Sequence, residues 1–113
     1  MGVEDLFSLL EELKPQFSAA LRRRVGLAEL TLISLQLSPR EAIVVTNRNL
    51  YLLRRGIFKL RAKVISLKGL RLIRAVGRDL VLEGEGGIWG RLQFDQRREL
   101  QVPVYKKLEN LLR

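Results

Sequence analysis

The fold is decided by the stretch EAIVVTNRNLYLLRRG, which occupies residues 41–56. Two strand-like runs, residues 42–46 and 50–54, flank the triplet Asn47-Arg48-Asn49. Asparagine tolerates the left-handed backbone that tight hairpin turns require. We therefore predict an antiparallel hairpin whose turn is made by left-handed asparagine at this triplet.

The net charge of +9 is concentrated in the middle of the chain. Residues 42–78 contain ten basic side chains and no Asp or Glu, whereas residues 1–41 sum to 5 − 6 and residues 79–113 to 6 − 6. The ten are Arg48, Arg54, Arg55, Lys59, Arg61, Lys63, Lys68, Arg71, Arg74 and Arg78. A field of one sign attracts polyanions, anionic membranes or acidic protein surfaces.

The run after Gly56, residues 57–67, has the clearest two-residue period in the chain. Its side chains alternate in the order Phe58, Lys59, Leu60, Arg61, Ala62, Lys63 and Val64. Successive side chains of a strand point to opposite sides of the sheet. We therefore predict a strand with an apolar inner face and a basic outer face.

Further short runs with the same period continue to residue 94. The run at residues 30–37 slips in phase once, which predicts a bulge or a strand covered on both faces. With strict alternation, Arg74 would lie on the same face as Leu72 whenever Arg71 faces solvent. A second bulge, near Leu72-Ile73, would remove this conflict. Pro103 is suited to the first turn of a closing helix. About seven strands and one C-terminal helix predict a mainly β fold, a small antiparallel barrel or sandwich with one end plugged by that helix.

Residues 1–26 form a separate segment in this interpretation, ahead of a β domain at residues 27–113. Apolar residues recur there at helical spacing, and Pro15 predicts a kinked or two-piece amphipathic helix. The stripe comprises Val3, Leu6, Phe7, Leu10, Leu13, Phe17, Ala20 and Leu21. The stripe can be buried in three ways: against its own domain, against a twin helix in a homo-oligomer, or against a different protein.

The quoted hairpin resembles the second and third strands of bacterial pleckstrin-homology-like domains, in which a hydrophobic, Thr-Asn, Arg, Leu-Tyr pattern recurs. The matching positions are Thr46, Asn47, Arg48, Leu50 and Tyr51. Asn49 departs from the pattern, since a basic residue is common there. Residues 64–67 and 103–112 look like the next strand end and the closing helix, so the resemblance covers residues 27–113. It implies a non-catalytic platform that binds membranes, peptides or other copies of itself.

Composition narrows the classes of function. At 113 residues the chain fits one domain, and it contains neither cysteine nor histidine. Disulfides and thiolate metal sites are therefore excluded, and the commonest general base and metal ligand are missing. We expect no enzyme, no cofactor and no metal site. No apolar run is long enough to span a membrane and the N-terminus lacks a basic signal region, so we expect a cytoplasmic protein.

Two further features near residue 85 are interpreted as structural. Glu83 and Glu85 lie on one strand face, the arrangement of a cation site or an acid–base pair, but a solvent-facing pair is favoured because no third oxygen ligand is close in sequence. The glycines between residues 84 and 90 are not a phosphate loop, since Glu85 would repel phosphate and no helix follows.

The candidate binding site is the basic strand face. Its members are Arg54, Arg55, Lys59, Arg61 and Lys63. The alternative is a solvated face whose cations discourage edge pairing. Trp89 is interpreted as packing over the N-terminal helix. The alternatives are stacking on nucleic-acid bases, for Trp89 and Tyr51, and insertion of Trp89 at a membrane interface.

The leading hypothesis is a binding module that docks an acidic protein partner on this face. The alternatives are a nucleic acid held by phosphate contacts and an anionic lipid headgroup at a membrane surface. A protein is preferred to lipid because polar strand faces provide no wedge for insertion.

Overall fold

The computed structural model describes residues 9–26 and 28–113 of the chain. Within these residues, seven strands form two antiparallel sheets. The first sheet contains β1 (Thr31–Ser38), β2 (Glu41–Thr46), β3 (Asn49–Arg55) and β4 (Leu60–Ser66), in that order. The second contains β5 (Leu70–Val76), β6 (Asp79–Gly84) and β7 (Gly87–Gln93). The helices are α1 (Pro15–Arg22), a 3₁₀ turn (Arg98–Leu100) and α2 (Gln101–Leu112). The predicted mainly β sandwich with a closing helix is confirmed.

The main core lies between the two sheets and under α2. Side chains from β1, β2, β3 and β4 meet those of β5, β6 and β7, and Val104 and Leu108 of α2 close the cluster. The helix begins at Gln101, two residues before the predicted start at Pro103. Proline remains tolerable there because a first-turn N–H has no intrahelical partner.

A second core lies on the opposite face of the first sheet, beneath α1. Leu13 and Phe17 pack there against Ala42, Val44, Tyr51 and Leu53. Leu13 and Phe17 of the apolar stripe are thus covered by the chain's own sheet, whereas Leu10 is exposed. Phe17 is 0% exposed because it packs on this sheet. A twin helix from another copy is therefore not needed to bury it.

Within the described residues, the predicted N-terminal helix is present only in its second piece. Helix α1 spans Pro15–Arg22, whereas Leu10 forms a parallel bridge with Ser34 of β1 and residues 11–14 have no helical structure. Pro15 starts the helix because its restricted φ suits a first helical position. The predicted positions Val3, Leu6 and Phe7 lie outside the described residues.

The hairpin of β2 and β3 has the predicted strands but a different turn. Among the described residues no non-glycine residue has positive φ, so the left-handed asparagine was a wrong prediction. The Thr46 hydroxyl oxygen instead accepts hydrogen bonds from the backbone N–H groups of Arg48 and Asn49, both at 3.1 Å. A side-chain acceptor thus satisfies the turn's donors without left-handed backbone.

Both predicted irregularities in the strands are present. β1 shifts register against β2 between Thr31 and Ile33. β5 shifts against β6 between Leu70 and Leu72, so the second bulge lies at Arg71, slightly earlier than predicted. It allows Leu70 and Ile73 to be buried while Arg71 and Arg74 remain exposed.

Candidate functional site

The cross-strand register shows which face of the first sheet carries the basic side chains. Arg54 lies opposite Arg61, Leu52 opposite Lys63, and Leu50 opposite Ile65. Opposed residues of an antiparallel pair share a face, as do alternate residues of one strand. Leu50 and Ile65 belong to the core between the sheets. The three cations therefore project from the inner face, and the predicted basic outer face was wrong.

The five predicted site residues do not form one group. Arg54, Arg61 and Lys63 line the same cleft. Arg55 lies opposite Leu60, on the face covered by α1, and Lys59 precedes β4 in the connecting turn. Three of the five are thus brought together and two lie around the hairpin apex instead.

The cleft has a volume of about 600 Å³ and lies between β3 and β4 on one side and β7 on the other. Its apolar lining includes Leu52, Leu92 and Trp89, and its cations include Arg91 from β7. Sequence analysis missed Arg91. The sequence shows that Arg91 alternates with Gly90 and Leu92 along one strand. It does not show that this strand, β7, lies beside β4.

At Gly90 the backbone of β7 lies close to side chains of the first sheet. A Cβ atom at that position would lie 2.9 Å from Leu52 Cδ1 and 3.2 Å from Ile65 Cδ1. Such distances are too short for a methyl group in a packed core. The absence of a side chain at Gly90 thus sets the depth of the cleft floor.

The charges around the cleft are only partly neutralised. Arg54 forms an ion pair with Glu41 at 2.6 Å, and Arg91 forms one with Asp79 at 3.4 Å. Arg61 and Lys63 form no ion pair with a described residue. Like charges opposed across two strands are unfavourable. Arg61 and Lys63 therefore leave an excess of positive charge at the cleft rim.

Trp89 packs on glycines beside the core between the sheets, whereas α1 packs on the opposite face of the first sheet. A Cβ atom at Gly69 would lie 2.5 Å from its ring, and one at Gly84 would overlap the ring as well. The indole N–H donates to the Glu85 carbonyl oxygen at 3.1 Å. Trp89 thus has a packing role within the described residues, and any contact with residues 1–8 of the predicted helix lies outside them.

Tyr51 is enclosed in the second core. It is 1% exposed, and its hydroxyl donates to Glu29 at 2.8 Å. Burial of the phenol raises the pKa of Tyr51, and the nearby Glu29 carboxylate adds to this. Its ring offers no free face on which a base could stack.

Glu29 is a site that sequence analysis missed. Its carboxylate accepts hydrogen bonds from Thr46, Tyr51, Asn49 and the N–H of Gly26. The Thr46 hydroxyl and the Gly26 N–H are the main causes that lower the pKa of Glu29 to about 2. This cluster fastens the segment before β1 to the β2–β3 hairpin, which is a structural role.

The remaining basic residues are not a continuous part of the cleft. Arg71 lies 3.8 Å from Glu85, and Arg74 is paired with Glu83. Glu83 lies on β6 and Glu85 in the turn after it, so the predicted pair on one strand face was wrong and each glutamate pairs with its own arginine. Among residues 9–26 and 28–113 no group of three acidic, histidine or cysteine side chains is placed to hold a metal ion.

Comparison with solved structures supports the fold. The chain is similar to the crystal structure of a pleckstrin homology domain from Shewanella amazonensis SB2B, with a TM-score of 0.66 and 18% sequence identity. The match covers 99% of this chain and 99% of that one. No family model matches the chain, and no curated protein matches it in sequence. The fold is thus pleckstrin-homology-like.

In the described part of the chain no helix is long and apolar enough to cross a bilayer.

Proposed function

We propose that this protein is a non-enzymatic binding module that docks an acidic segment of a protein partner in the cleft between β4 and β7. The observation that carries the proposal is the combination of Arg61 and Lys63 without carboxylate partners among the described residues and an apolar floor at Leu52, Leu92 and Trp89. An arginine fork binds a carboxylate through two parallel hydrogen bonds. The partner's glutamates or aspartates would replace the counter-charge that the rim lacks.

The mixed lining favours a polypeptide segment over a simple anion. An extended peptide alternates its side chains, so acidic residues contact the cations while intervening apolar residues reach the floor. A volume of about 600 Å³ falls in the range of small-ligand sites. The cleft therefore accommodates a few residues, which is consistent with recognition of a short linear motif.

Nucleic acid is a weaker candidate than it was from the sequence alone. Stacking on aromatic rings provides much of the affinity for single strands. Tyr51 is buried and the Trp89 ring is packed over two glycines. Only phosphate contacts would remain, and these bind without sequence preference.

The single tryptophan provides the test. Since Trp89 is the chain's only tryptophan and lines the cleft, its emission reports on occupancy. We expect a short synthetic peptide of glutamates interrupted by leucines to shift this emission saturably, and a glutamine version of the peptide to have no effect. Arg61→Ser with Lys63→Ser should weaken binding about tenfold or more.

A matched control removes two charges elsewhere. Arg98→Ser with Lys106→Ser has the same change in net charge, and neither residue lines the cleft. This variant should retain peptide binding. Equal losses in both variants, or tighter binding to DNA or RNA than to the peptide at physiological salt, would reject the proposal.

A further inference from the structure

Strand β7 has a free edge, the side not paired with β6, that runs along the cleft. The cleft lining contains all six residues from Ile88 to Gln93. A cleft that met only one face of a strand would touch every second residue, because successive side chains point to opposite faces. The cleft therefore follows the edge of β7, where backbone groups as well as side chains are accessible.

The register shows which backbone groups of β7 point into the cleft. The Phe94 N–H donates to the Arg78 carbonyl oxygen at 3.1 Å, and Leu92 lies two residues earlier on the same ladder. Hydrogen-bonded pairs alternate with non-bonded pairs along an antiparallel ladder. Leu92 is therefore bonded to β6, whereas the N–H and C=O groups of Arg91 and Gln93 point away from β6.

Other sheet edges in the structure are accompanied by neighbouring segments. Along β1, the Ser34 N–H donates to the Leu9 carbonyl oxygen, and the Ser34 carbonyl oxygen accepts from the Glu11 N–H, both at 2.7 Å. Helix α2 packs beside β5, and α1 packs beside β4. In the described part of the chain, the backbones of Arg91 and Gln93 bond to no such segment. The edge of β7 therefore presents an open row of donors and acceptors to the cleft.

We propose that the acidic segment binds as an added β-strand, with its backbone paired to the free edge of β7. This inference rests on the proposed function, because its occupant is the acidic protein segment already assigned to the cleft. An extended peptide that pairs with an exposed sheet edge gains main-chain hydrogen bonds, while its side chains provide specificity. Since β6 separates β7 from β5, and α2 packs beside β5, the closing helix takes no part in this interface.

Charge explains why this edge selects an acidic strand. Exposed edges pair readily with other chains, and cations near an edge repel strands that are themselves basic. Arg61 and Lys63 line the cleft without an ion pair to a described residue, and Arg91 lies on β7 itself. A second copy of this chain carries a net charge of +9 and would bring the same arginine to the edge. An acidic strand is attracted where a second copy is repelled.

N-methylated peptides test the backbone pairing separately from the charges. Along an added strand, only every second N–H points to the edge. The glutamate–leucine peptide is therefore prepared in two further forms, one methylated at the backbone nitrogen of every leucine and one at that of every glutamate. Each net hydrogen bond contributes roughly fivefold in affinity. By Trp89 emission, one form should bind about twentyfold more weakly or worse, and the other should stay within about threefold of the unmodified peptide.

A proline in the protein tests the same edge from the other side. Gln93→Pro removes an N–H that points into the cleft, and an edge strand tolerates proline where its nitrogen faces solvent. This variant should bind the unmodified peptide about fivefold more weakly. Gln93→Ala, which keeps the N–H, should bind within about twofold of the unmodified protein. Should Gln93→Pro fail to fold, the two methylated peptides decide the question on the unmodified chain.

Amide hydrogen exchange measured by NMR locates the added strand. The N–H groups of Arg91 and Gln93 should exchange at least tenfold more slowly in the peptide complex than in the free protein. The comparison is Ala62, on the other side of the cleft. Because the Gly56 N–H donates to the Lys59 carbonyl oxygen at 2.8 Å, the same alternation directs the Ala62 N–H away from β3. Slower exchange at Ala62 in place of β7 would assign the added strand to β4 and would overturn the inference.

These experiments separate the inference from the function on which it rests. Absence of binding by the unmodified peptide would reject both. Equal binding of the two methylated peptides, or unchanged exchange at Arg91 and Gln93, would overturn strand addition and would leave binding through side chains alone. Dimers of the free protein that Gln93→Pro dissociates would assign the edge to a second copy and would overturn the inference as well.

Discussion

The Tyr51 hydroxyl lies 2.8 and 3.0 Å from the two carboxylate oxygens of Glu29 and donates its one proton to this carboxylate. This contact joins the segment before β1 to the middle of β3, 22 residues away in sequence. Thr46 donates to the same carboxylate at 2.6 Å from the end of β2. One acidic side chain thus holds three parts of the chain together.

Acid should weaken the fold through Glu29. Its pKa is lowered to about 2 in the folded protein by the Thr46 hydroxyl and the Gly26 N–H, so the unfolded chain takes up a proton first as the pH falls. The contribution to stability is complete above about pH 4.5 and is lost as the pH falls towards 2. Urea unfolding from pH 7 to pH 2.5 should show this decline. Glu29→Gln should be less stable at pH 7 and should have a shallower decline.

The phenol donor can be tested separately. Tyr51→Phe keeps the buried ring but removes one hydrogen bond to Glu29, which should cost about 1 kcal/mol of unfolding free energy at pH 7. The same change at Tyr105, where no hydroxyl bond is found within the described residues, should cost less. An equal cost at both positions would contradict the role given to this contact.

Glu11 and Arg97 should be coupled across the whole chain. Arg97 Nη1 lies 2.5 Å from the Glu11 carboxylate and 3.2 Å from the Gln36 carbonyl oxygen. The hydrogen bond from Arg97 is the main cause that lowers the pKa of Glu11. Arg97→Gln should raise that pKa in an NMR titration, and a double-mutant cycle should give about 1 kcal/mol. Glu99 lies 3.9 Å from Arg97 and its side chain is 69% exposed. The same cycle for Arg97 and Glu99 should therefore give a smaller coupling energy.

Helix α1 should be an integral part of the folded unit. Phe17→Ala empties a fully buried site beneath the helix and should cost about 3–5 kcal/mol. Phe58→Ala makes the same chemical change at the exposed apex of the β3–β4 hairpin and should change stability by less than about 0.5 kcal/mol. Calorimetry should show one transition in each case. A second, separate transition in Phe17→Ala would indicate that residues 9–26 fold independently.

Gly84 should be intolerant of a side chain because of Trp89. A Cβ atom there would overlap the indole ring, so Gly84→Ala should cost about 1–3 kcal/mol. Trp89→Ala removes the obstacle, and the double variant should be more stable than the sum of the two single changes predicts. Simple additivity would show that Gly84 is needed for its backbone and not for the ring.

The sequence predicted the strands well because their two-residue period is local information. It did not predict which face of β4 points inward, since both faces carry apolar residues: Ile65 on one, and Leu60 and Ala62 on the other. The side on which α1 packs decides between them, and that is a tertiary contact. Arg91 was missed for the same reason, because its proximity to Arg61 arises only when the two sheets meet.

The exposed apex was missed because an alternating pattern does not indicate where a strand begins. Phe58 continues the apolar phase of Leu60 and Ala62, yet the hydrogen bond between Gly56 and Lys59 closes the turn before β4 starts. Periodicity therefore assigned a buried position to the most exposed phenylalanine in the described part of the chain.

The two cores on opposite faces of the first sheet have a consequence for how the protein can vary. Every position of β2 from Ala42 to Thr46 is buried, since one face meets the second sheet and the other meets α1. In a saturation scan, polar replacements in β2 should be destabilising at successive positions. An antiparallel strand with one solvent-exposed face tolerates polar replacements at every second position. Neutral drift should therefore concentrate in β4, where Ile65 alone is fully buried.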